Sequence, residues 1–260
     1  MSSLKASVLV ANFNNQNFIS ECINSLKNQT YNNLEIIFFD DYSNDDSLSE
    51  INKYDNIKII SNKNRGEIGS FNQINAYEKA FNESSGDIIF FLDSDDYFHK
   101  NKIETIINTF VNNEKLIAIY DLPIIKKNSN YKLAKNEKNF VNNFWPYLPP
   151  QSCISIRRSH VSAIFNKINF NLFPDIWMDF RIGILLYNLE KNFFILDKNL
   201  TYYRIREGSA SEKFKYLSSL WWKRRMQAHL YVKYFFEKNN LIYKKNFDYF
   251  LTFVVAKLIA

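Results

Sequence analysis

Cysteine is nearly missing from this sequence: Cys22 and Cys153 are the two in 260 residues. Two thiols build neither a disulfide framework nor a zinc cluster, and their scarcity fits a reducing compartment. Histidine is as scarce, with three residues far apart, which argues against a histidine-based metal centre. No apolar run reaches the roughly 18 residues that a bilayer span needs. The opening Met1-Ser2-Ser3-Leu4-Lys5 passes straight into a strand pattern and lacks a signal-peptide profile. The expectation from these absences is a cytoplasmic protein. Glycine-rich phosphate loops are missing too. No Gly-x-Gly-x-x-Gly follows the first strand pattern, which argues against a dinucleotide-binding dehydrogenase, and there is no Walker loop. Any phosphate bound here must be held by a cation and by basic side chains.

What is present is an ordinary globular composition, 46% apolar, with a mild formal charge of +6. The charge is unevenly spread, with carboxylates concentrated in the first hundred residues and Lys and Arg towards the end. That asymmetry suits an anionic partner, either a nucleotide diphosphate or an acidic membrane face. It does not single out nucleic acid, because acidic strand ends would repel a phosphate backbone.

Strand and helix patterns alternate four times in the first hundred residues. Strand-like runs are Ser7 to Ala11, Leu34 to Phe39, Ile57 to Ile60 and Ile88 to Leu92. Helical patterns lie between them, near Phe18 to Asn28, Ser47 to Tyr54 and Ser70 to Asn82. This is the order of βαβ units on a mostly parallel sheet. Each strand delivers polar residues to what should be one edge, where open α/β sheets bind ligands. Further on, the patterns predict a helix over 100–112, a strand over 116–121, a polar loop over 126–143 and a strand over 153–158 ending in Arg157 and Arg158. A helix over 175–189, strands over 193–196 and 200–204, and helix from 211 onwards complete the reading.

The run around which the rest is organised is Gly86-Asp87-Ile88-Ile89-Phe90-Phe91-Leu92-Asp93-Ser94-Asp95-Asp96. An uninterrupted apolar strand ends in three crowded carboxylates. Such crowding is tolerable mainly beside a cation, and hard oxygens suit Mg²⁺ or Mn²⁺. The alternative is a solvated turn in which Asp96 caps the next helix.

Taken together, the chain resembles the family 2 glycosyltransferases of the GT-A fold. The resemblance is carried by Ser7-Val8-Leu9-Val10 with Phe13-Asn14, Asn28-Gln29-Thr30-Tyr31, and Glu35-Ile36-Ile37 leading to Asp40-Asp41, Ser43 and Asp45. It continues through Asn64-Arg65-Gly66, Ser70-Phe71-Asn72, Gly86-Asp87, Leu92-Asp93-Ser94-Asp95-Asp96, Asp179 and Tyr203-Arg204. It implies an α/β, GT-A-type nucleotide-diphospho-sugar transferase fold, a mostly parallel sheet flanked by helices. Residues 1–210 would form the catalytic domain, with a nucleotide-binding half to about residue 100 and an acceptor half after it. Residues 211–260 would form a helical extension.

The resemblance also implies an inverting, metal-dependent transferase. It would use a nucleotide-sugar donor of the UDP-sugar type and a glycan or lipid-linked acceptor in surface polysaccharide synthesis. It assigns Phe13, Asp40, Asp41, Asn64, Arg65, Asn72, Asp93, Arg204 and Arg206 to donor binding. Of these, Asp41 or its neighbour Asp40 would read the base, and Asp93 would sit near the ribose. Asp95, with Asp93, would hold Mn²⁺ or Mg²⁺. Asp179 would be the general base that takes the acceptor's proton, with Asp175 as its rival. Arg157 and Arg158 resemble a basic pair of the acceptor side, or else form a solvated strand end.

Two departures stand out. Tyr42 stands where the family often has Gly, and Arg206 stands where it often has a His that contacts metal or diphosphate. Arginine ligates no cation but pairs with phosphate oxygens. A module that binds nucleotide sugar or glycan without turnover therefore stays open as an alternative. In the last segment, Trp221-Trp222 beside Lys223-Arg224-Arg225, with Tyr231, Tyr234, Phe235 and Phe236, leaves two readings open. One is peripheral docking on an anionic membrane face; the other is packing on the catalytic domain or in a dimer contact. The apolar close at Leu251 to Ala260 reads as a docking helix or a truncation.

Overall fold

The first strand, β1 (Ala6–Asn12), is apolar on both faces because it lies in the middle of the sheet with helices above and below it. Its neighbours are β2 (Leu34–Asp40) and β4 (Ile88–Asp93), both parallel to it, and β3 (Lys58–Ser61) lies outside β2. The computed structural model describes residues 4–135, 149–206 and 212–259. Among these, the sheet has nine strands in the order β3-β2-β1-β4-β8-β6-β9-β5, with β7 on β6. The later strands are β5 (Tyr97–Phe98), β6 (Ala118–Lys127), β7 (Asn130–Leu133), β8 (Ile154–Arg157) and β9 (Phe193–Ile205).

Alternate residues of the strands feed two cores. Val8, Val10, Phe38, Phe90 and Leu92 pack against α1 (Gln16–Lys27) and α4 (Lys102–Asn112). Leu9, Ile37, Phe39, Ile89 and Phe91 face α3 (Gly69–Asn82), α5 (Arg158–Ile168), α6 (Met178–Leu185) and α7 (Ser219–Lys238). The remaining helices are the short α2 (Ser47–Ile51) and α8 (Phe247–Leu258). Gly86 is needed where β4 begins, since a Cβ there would stand 2.5 Å from Ser7 Oγ and 2.7 Å from its main-chain nitrogen.

The predicted mostly parallel sheet is parallel throughout β1 to β4 and mixed beyond. β8 runs antiparallel between β4 and β6, and only β6 and β9 restore a parallel pairing. Three further differences have local causes. The two predicted last strands are one, β9, because a register shift between Tyr120 and Leu122 absorbs the polar Asp197-Lys198 without ending the ladder. The polar stretch read as a loop from Lys126 instead turns back as the hairpin β6–β7, with Asn128 at φ 53° supplying the left-handed turn residue; residues 136–143 of that stretch lie outside the described residues. Helix α5 begins at Arg158, directly after β8, and its apolar Val161, Ile164, Phe165 and Ile168 went unread after the preceding strand.

Arg157 and Arg158 are structural. Arg157 donates to the main-chain oxygens of Leu116 and Phe110, and Arg158 to Ser84 and Gly86, at the edge where β4 begins, opposite the carboxylates. The 210/211 boundary expected between catalytic domain and extension lies outside the described residues. Beyond it, Ala228, Tyr231, Val232 and Phe235 of α7 enter the same core as the sheet, and Tyr231 meets the rings of Phe170, Phe173 and Phe180. Tyr231 also covers Arg181, fully buried, whose guanidinium donates to the carbonyls of Ile168, Phe170, Leu172, Phe173 and Ile176. Without a carboxylate partner, desolvation lowers the Arg181 pKa to about 10. The carbonyls hold that charge, and in return it fixes the loop that leads into α6.

Candidate active site

The ladder aligns the carboxyl ends of the first strands. Asn12 pairs with Asp40, Ala11 with Asp93, and Asp40 with Ser61. Successive connections lead from β1 to β2 and β3 on one side and then to β4 on the other. A crevice therefore opens at this edge, at a switch in strand order. It is a cleft of about 480 Å³ lined by Phe13, Asp41, Arg65, Asn72, Asp93, Asp95, Asp179, Arg204 and Arg206, among others.

At one end Arg65 lies over the Phe13 ring, its Cζ 3.7 Å from the centroid, and its Nε donates to Asp41 Oδ2 at 2.8 Å. Asn62 donates to the other Asp41 oxygen at 2.9 Å. Burial raises the Asp41 pKa, while Asn62 and Arg65 act against it. Each carboxylate oxygen keeps a further lone pair, so this end can read a planar donor-bearing ring. Asp40 stands apart. It is fully buried, accepts from Asn12 Nδ2 at 2.8 Å and from the Ser43 amide and hydroxyl at 3.0 and 2.6 Å, and does not line the cleft. Its work is to close the turn that holds Tyr42 at φ 62°, left-handed backbone in which a β-carbon is disfavoured. That is the physical reason a glycine suits the position. Asn64 is exposed and outside the cleft lining, whereas Asn72 lines it and donates to Gly66 O at 2.7 Å.

The central carboxylates are set by a buried relay. Asn15 donates to Ser94 Oγ and Ser94 to Asn12 Oδ1, which ties the β1 loop to the loop after β4. Asp93 accepts from Tyr77 at 2.7 Å and Gln73 at 3.2 Å. Desolvation, and then the Asp95 charge, push its pKa up to about 7. Asp95 accepts from Arg206 Nε at 3.0 Å, and Arg206 reaches Asn15 as well. Arg204 donates its main-chain N–H to Asp96 and its Nε to the Asp95 carbonyl, and pairs with Glu21. Much of Arg204 is therefore spent on fixing this loop. Asp96 does not cap the following helix, which begins after Asn101; it accepts from Ser152 at 2.6 Å.

Asp93 and Asp95 face the cleft with the hard oxygens that suit Mg²⁺ or Mn²⁺. No cluster of three or more candidate ligands exists among the described residues. The donor set thus fits a cation that takes one or two carboxylates and completes its shell from substrate phosphates.

Asp179 sits in the first turn of α6, half-buried in the cleft wall. Desolvation raises its pKa, against the Arg224 guanidinium, which lowers it. The rival Asp175 is turned away. It exchanges hydrogen bonds with Gln227 of α7 and lies 3.7 Å from Lys213. The sequence reading missed Gln73, Gln151, Trp177 and Arg224, all of which line the cleft. Arg224 was visible only as part of a basic run, and nothing in its spacing pointed inward.

The family model described as Glycosyl transferase family 2 matches residues 7–165. The chain belongs to that family. The Escherichia coli UDP-Glc:alpha-D-GlcNAc-diphosphoundecaprenol beta-1,3-glucosyltransferase WfaP is 34% identical, over 81% of this chain and 82% of its own length. Other relatives are longer, and the chain spans 65% and 33% of two further bacterial glycosyltransferases. Among solved structures, Staphylococcus aureus TarS in complex with UDP-GlcNAc has a TM-score of 0.64 at 20% identity, covering 87% of this chain and 66% of that one. The mannosyltransferase PcManGT of Pyrobaculum calidifontis, in complex with GDP-Man and Mn²⁺, has a TM-score of 0.61 at 14% identity, covering 99% and 70%. At such identities the likeness shows the fold, GT-A-type, with the carboxyl-terminal helices included. The family match ends at residue 165, so Asp179 and the Tyr203-Arg204 strand lie beyond it, placed by the fold.

Proposed function

We propose that this family 2 chain is an inverting glycosyltransferase that moves a sugar from a UDP-sugar to a hydroxyl of a glycan or lipid-linked acceptor in surface polysaccharide synthesis. The observation that carries the reading is the line-up in one cleft of a ring-binding end, a carboxylate pair and a single desolvated carboxylate, Asp179. Phe13, Arg65 and Asp41 would hold the uracil. Arg206 would face the diphosphate, and Asp95, with Asp93, would hold the divalent cation. That cation, when bound, neutralises the diphosphate and so improves it as a leaving group. Asp179 would take the proton of the acceptor hydroxyl as its oxygen bonds to the anomeric carbon and the bond to the diphosphate oxygen breaks. One displacement needs one base and inverts the centre. WfaP's acceptor, a lipid-linked diphosphate by its name, supports the acceptor class.

The deciding experiment is a screen of nucleotide sugars with and without Mn²⁺, read by transfer and by thermal midpoint. UDP with Mn²⁺ is expected to stabilise the fold by about 2.7 kcal/mol at a hundred times its dissociation constant. Donor binding without transfer or hydrolysis would favour the non-catalytic module, a reading supported by the pairing of Arg206 with Asp95. No midpoint shift with any nucleoside diphosphate would reject a nucleotide function.

For a lipid-linked acceptor we infer peripheral contact with an anionic membrane face, through α8 rather than through the Trp221 to Arg225 run of α7. The face of α7 that holds Tyr231 and Phe235 is buried, Arg225 pairs with Asp248, and Arg224 turns into the cleft. Helix α8 instead points Phe247, Phe250, Leu251, Val254 and Leu258 outward, with Phe247 and Leu258 81% and 80% exposed. Exposed Lys244, Lys245 and Lys257 flank that stripe. An apolar face rimmed by cations suits the headgroup boundary of acidic lipid, at about 1 kcal/mol for each cation near the surface. No helix among the described residues is long and apolar enough to cross a membrane. Co-sedimentation should favour anionic over neutral vesicles and should drop when Phe247, Leu251 and Leu258 become Ser. Equal binding to both vesicle types rejects the docking.

A further inference from the structure

Gln151 belongs to no part of the reading above, yet it lines the cleft and is 4% exposed. Both ends of its amide, Oε1 and Nε2, are buried without a hydrogen-bond partner. A desolvated amide in that state is destabilising, so a protein keeps one where something else completes it.

The main chain around Gln151 is held rigid. It opens a short 3-10 turn, Gln151–Cys153, closed by Cys153 N–H donating to Pro150 O at 2.8 Å. The next residue, Ser152, is gripped on three sides. Its hydroxyl accepts from the Asp93 amide at 3.1 Å and donates to Asp96 at 2.6 Å, and its carbonyl accepts from the buried Lys102 ammonium at 2.7 Å. Lys102 is itself paired with Asp121 at 2.8 Å. The turn cannot swing to find Gln151 a partner within the protein. A second buried acceptor, Gln73 Oε1, lines the same cleft unpartnered, while Gln73 Nε2 is spent on Asp93.

The position of Gln151 indicates which part of a donor it would meet. The ring-binding end is built by Phe13, Asp41, Arg65 and Asn62. Gln151 is instead tied through Ser152 to Asp93 and Asp96. It is therefore grouped with the carboxylates, away from the ring-binding end. A primary amide both donates and accepts, which matches hydroxyls; it has no charge with which to prefer a phosphate.

We propose that Gln151, assisted by Gln73 Oε1, is the specificity-determining group that binds adjacent hydroxyls of the transferred sugar. The proposal rests on the donor reading given above. A site built to hydrogen-bond a hydroxyl rejects analogues that lack it far more strongly than an apolar pocket rejects a missing methylene. It therefore predicts a donor with free neighbouring hydroxyls on its ring, in preference to deoxysugars.

The test compares binding of UDP with binding of UDP-glucose, UDP-galactose and UDP-GlcNAc, all with Mn²⁺, in the wild type and in Gln151→Leu. The wild type should bind at least one sugar nucleotide more tightly than UDP. Gln151→Leu should lose tenfold or more of that increment and keep its affinity for UDP within twofold. Its ligand-free thermal midpoint should stay level or rise, because the variant removes an unpartnered buried amide; a structural role would lower it. Equal weakening of UDP and sugar nucleotide overturns the proposal, as does an unchanged increment, the absence of any increment in the wild type, or a lowered midpoint. Failure of the wild type to bind UDP at all is the distinct result that rejects the donor reading itself.

Discussion

Asp179→Asn should lower sugar transfer by about 10²–10⁴-fold while leaving the fold and UDP binding in place, the range that a positioned general base contributes. The isosteric amide keeps the acceptor of the hydrogen bond from Phe180 N–H and cannot take a proton. A drop of less than about fivefold, or loss of UDP binding in parallel, would count against the assignment. The pH profile gives a second, independent readout. Burial raises the Asp179 pKa, and the base works only when deprotonated, so kcat/KM should fall as pH drops through a value above the ordinary carboxylate range. Arg224 opposes that rise, so Arg224→Gln should move the acid limb to higher pH. An acid limb unmoved by Arg224→Gln would remove Arg224 from this role. Substituting Asp175 should leave the limb where it is, because that side chain is occupied with Gln227.

What could be read in advance follows from which forces act locally. Strands β1, β2 and β4 each contain an apolar run that ends in polar residues, and the register of Asn12 with Asp40 and of Ala11 with Asp93 makes their ends converge. A period-2 strand fixes such an edge with no knowledge of the rest of the fold. The antiparallel insertion of β8 was not legible, because four apolar-alternating residues look the same in either direction and only long-range pairing chooses. Gln151 gives no signal for a related reason. A glutamine after two prolines is unremarkable until the Lys102–Asp121 pair and Ser152 pin it beside Asp93. Arg181 and Arg224 show the limit of charge as a guide. One is buried among carbonyls and aromatic rings, and the other crosses from α7 into the cleft; along the chain both resemble solvated cations. Tyr42 worked the other way. Its departure from glycine was visible early, and its left-handed φ shows what the glycine would supply.

Asp95→Ala is the remaining variant with a large expected effect, and Arg206 makes its result informative beyond the loss itself. Asp95 holds the Arg206 guanidinium at 3.0 Å, and it also lines the cleft as an oxygen donor proposed for a divalent cation. On the proposed reading, guanidinium and cation would compete for one carboxylate, so the site would trade two ways of neutralising a diphosphate. Removing Asp95 should cut transfer by about 10²–10³-fold, the scale of losing one electrostatic stabiliser of the leaving group. It should also abolish the extra thermal stabilisation that Mn²⁺ adds to UDP. Stabilisation by UDP alone should persist or grow, because Arg206 is then free to pair with phosphate oxygens. Arg206→Ala should show the opposite signature. UDP alone should bind more weakly, and the Mn²⁺ concentration for half-maximal stabilisation should fall, because Asp95 no longer has a resident counter-charge. Transfer that survives in excess chelator would remove the cation from the reaction and leave the charge to Arg206 and its neighbours. Matching losses in the two variants, with no change in Mn²⁺ dependence in either, would sink the competition between Arg206 and the cation while leaving Asp95 a positioning role in the loop.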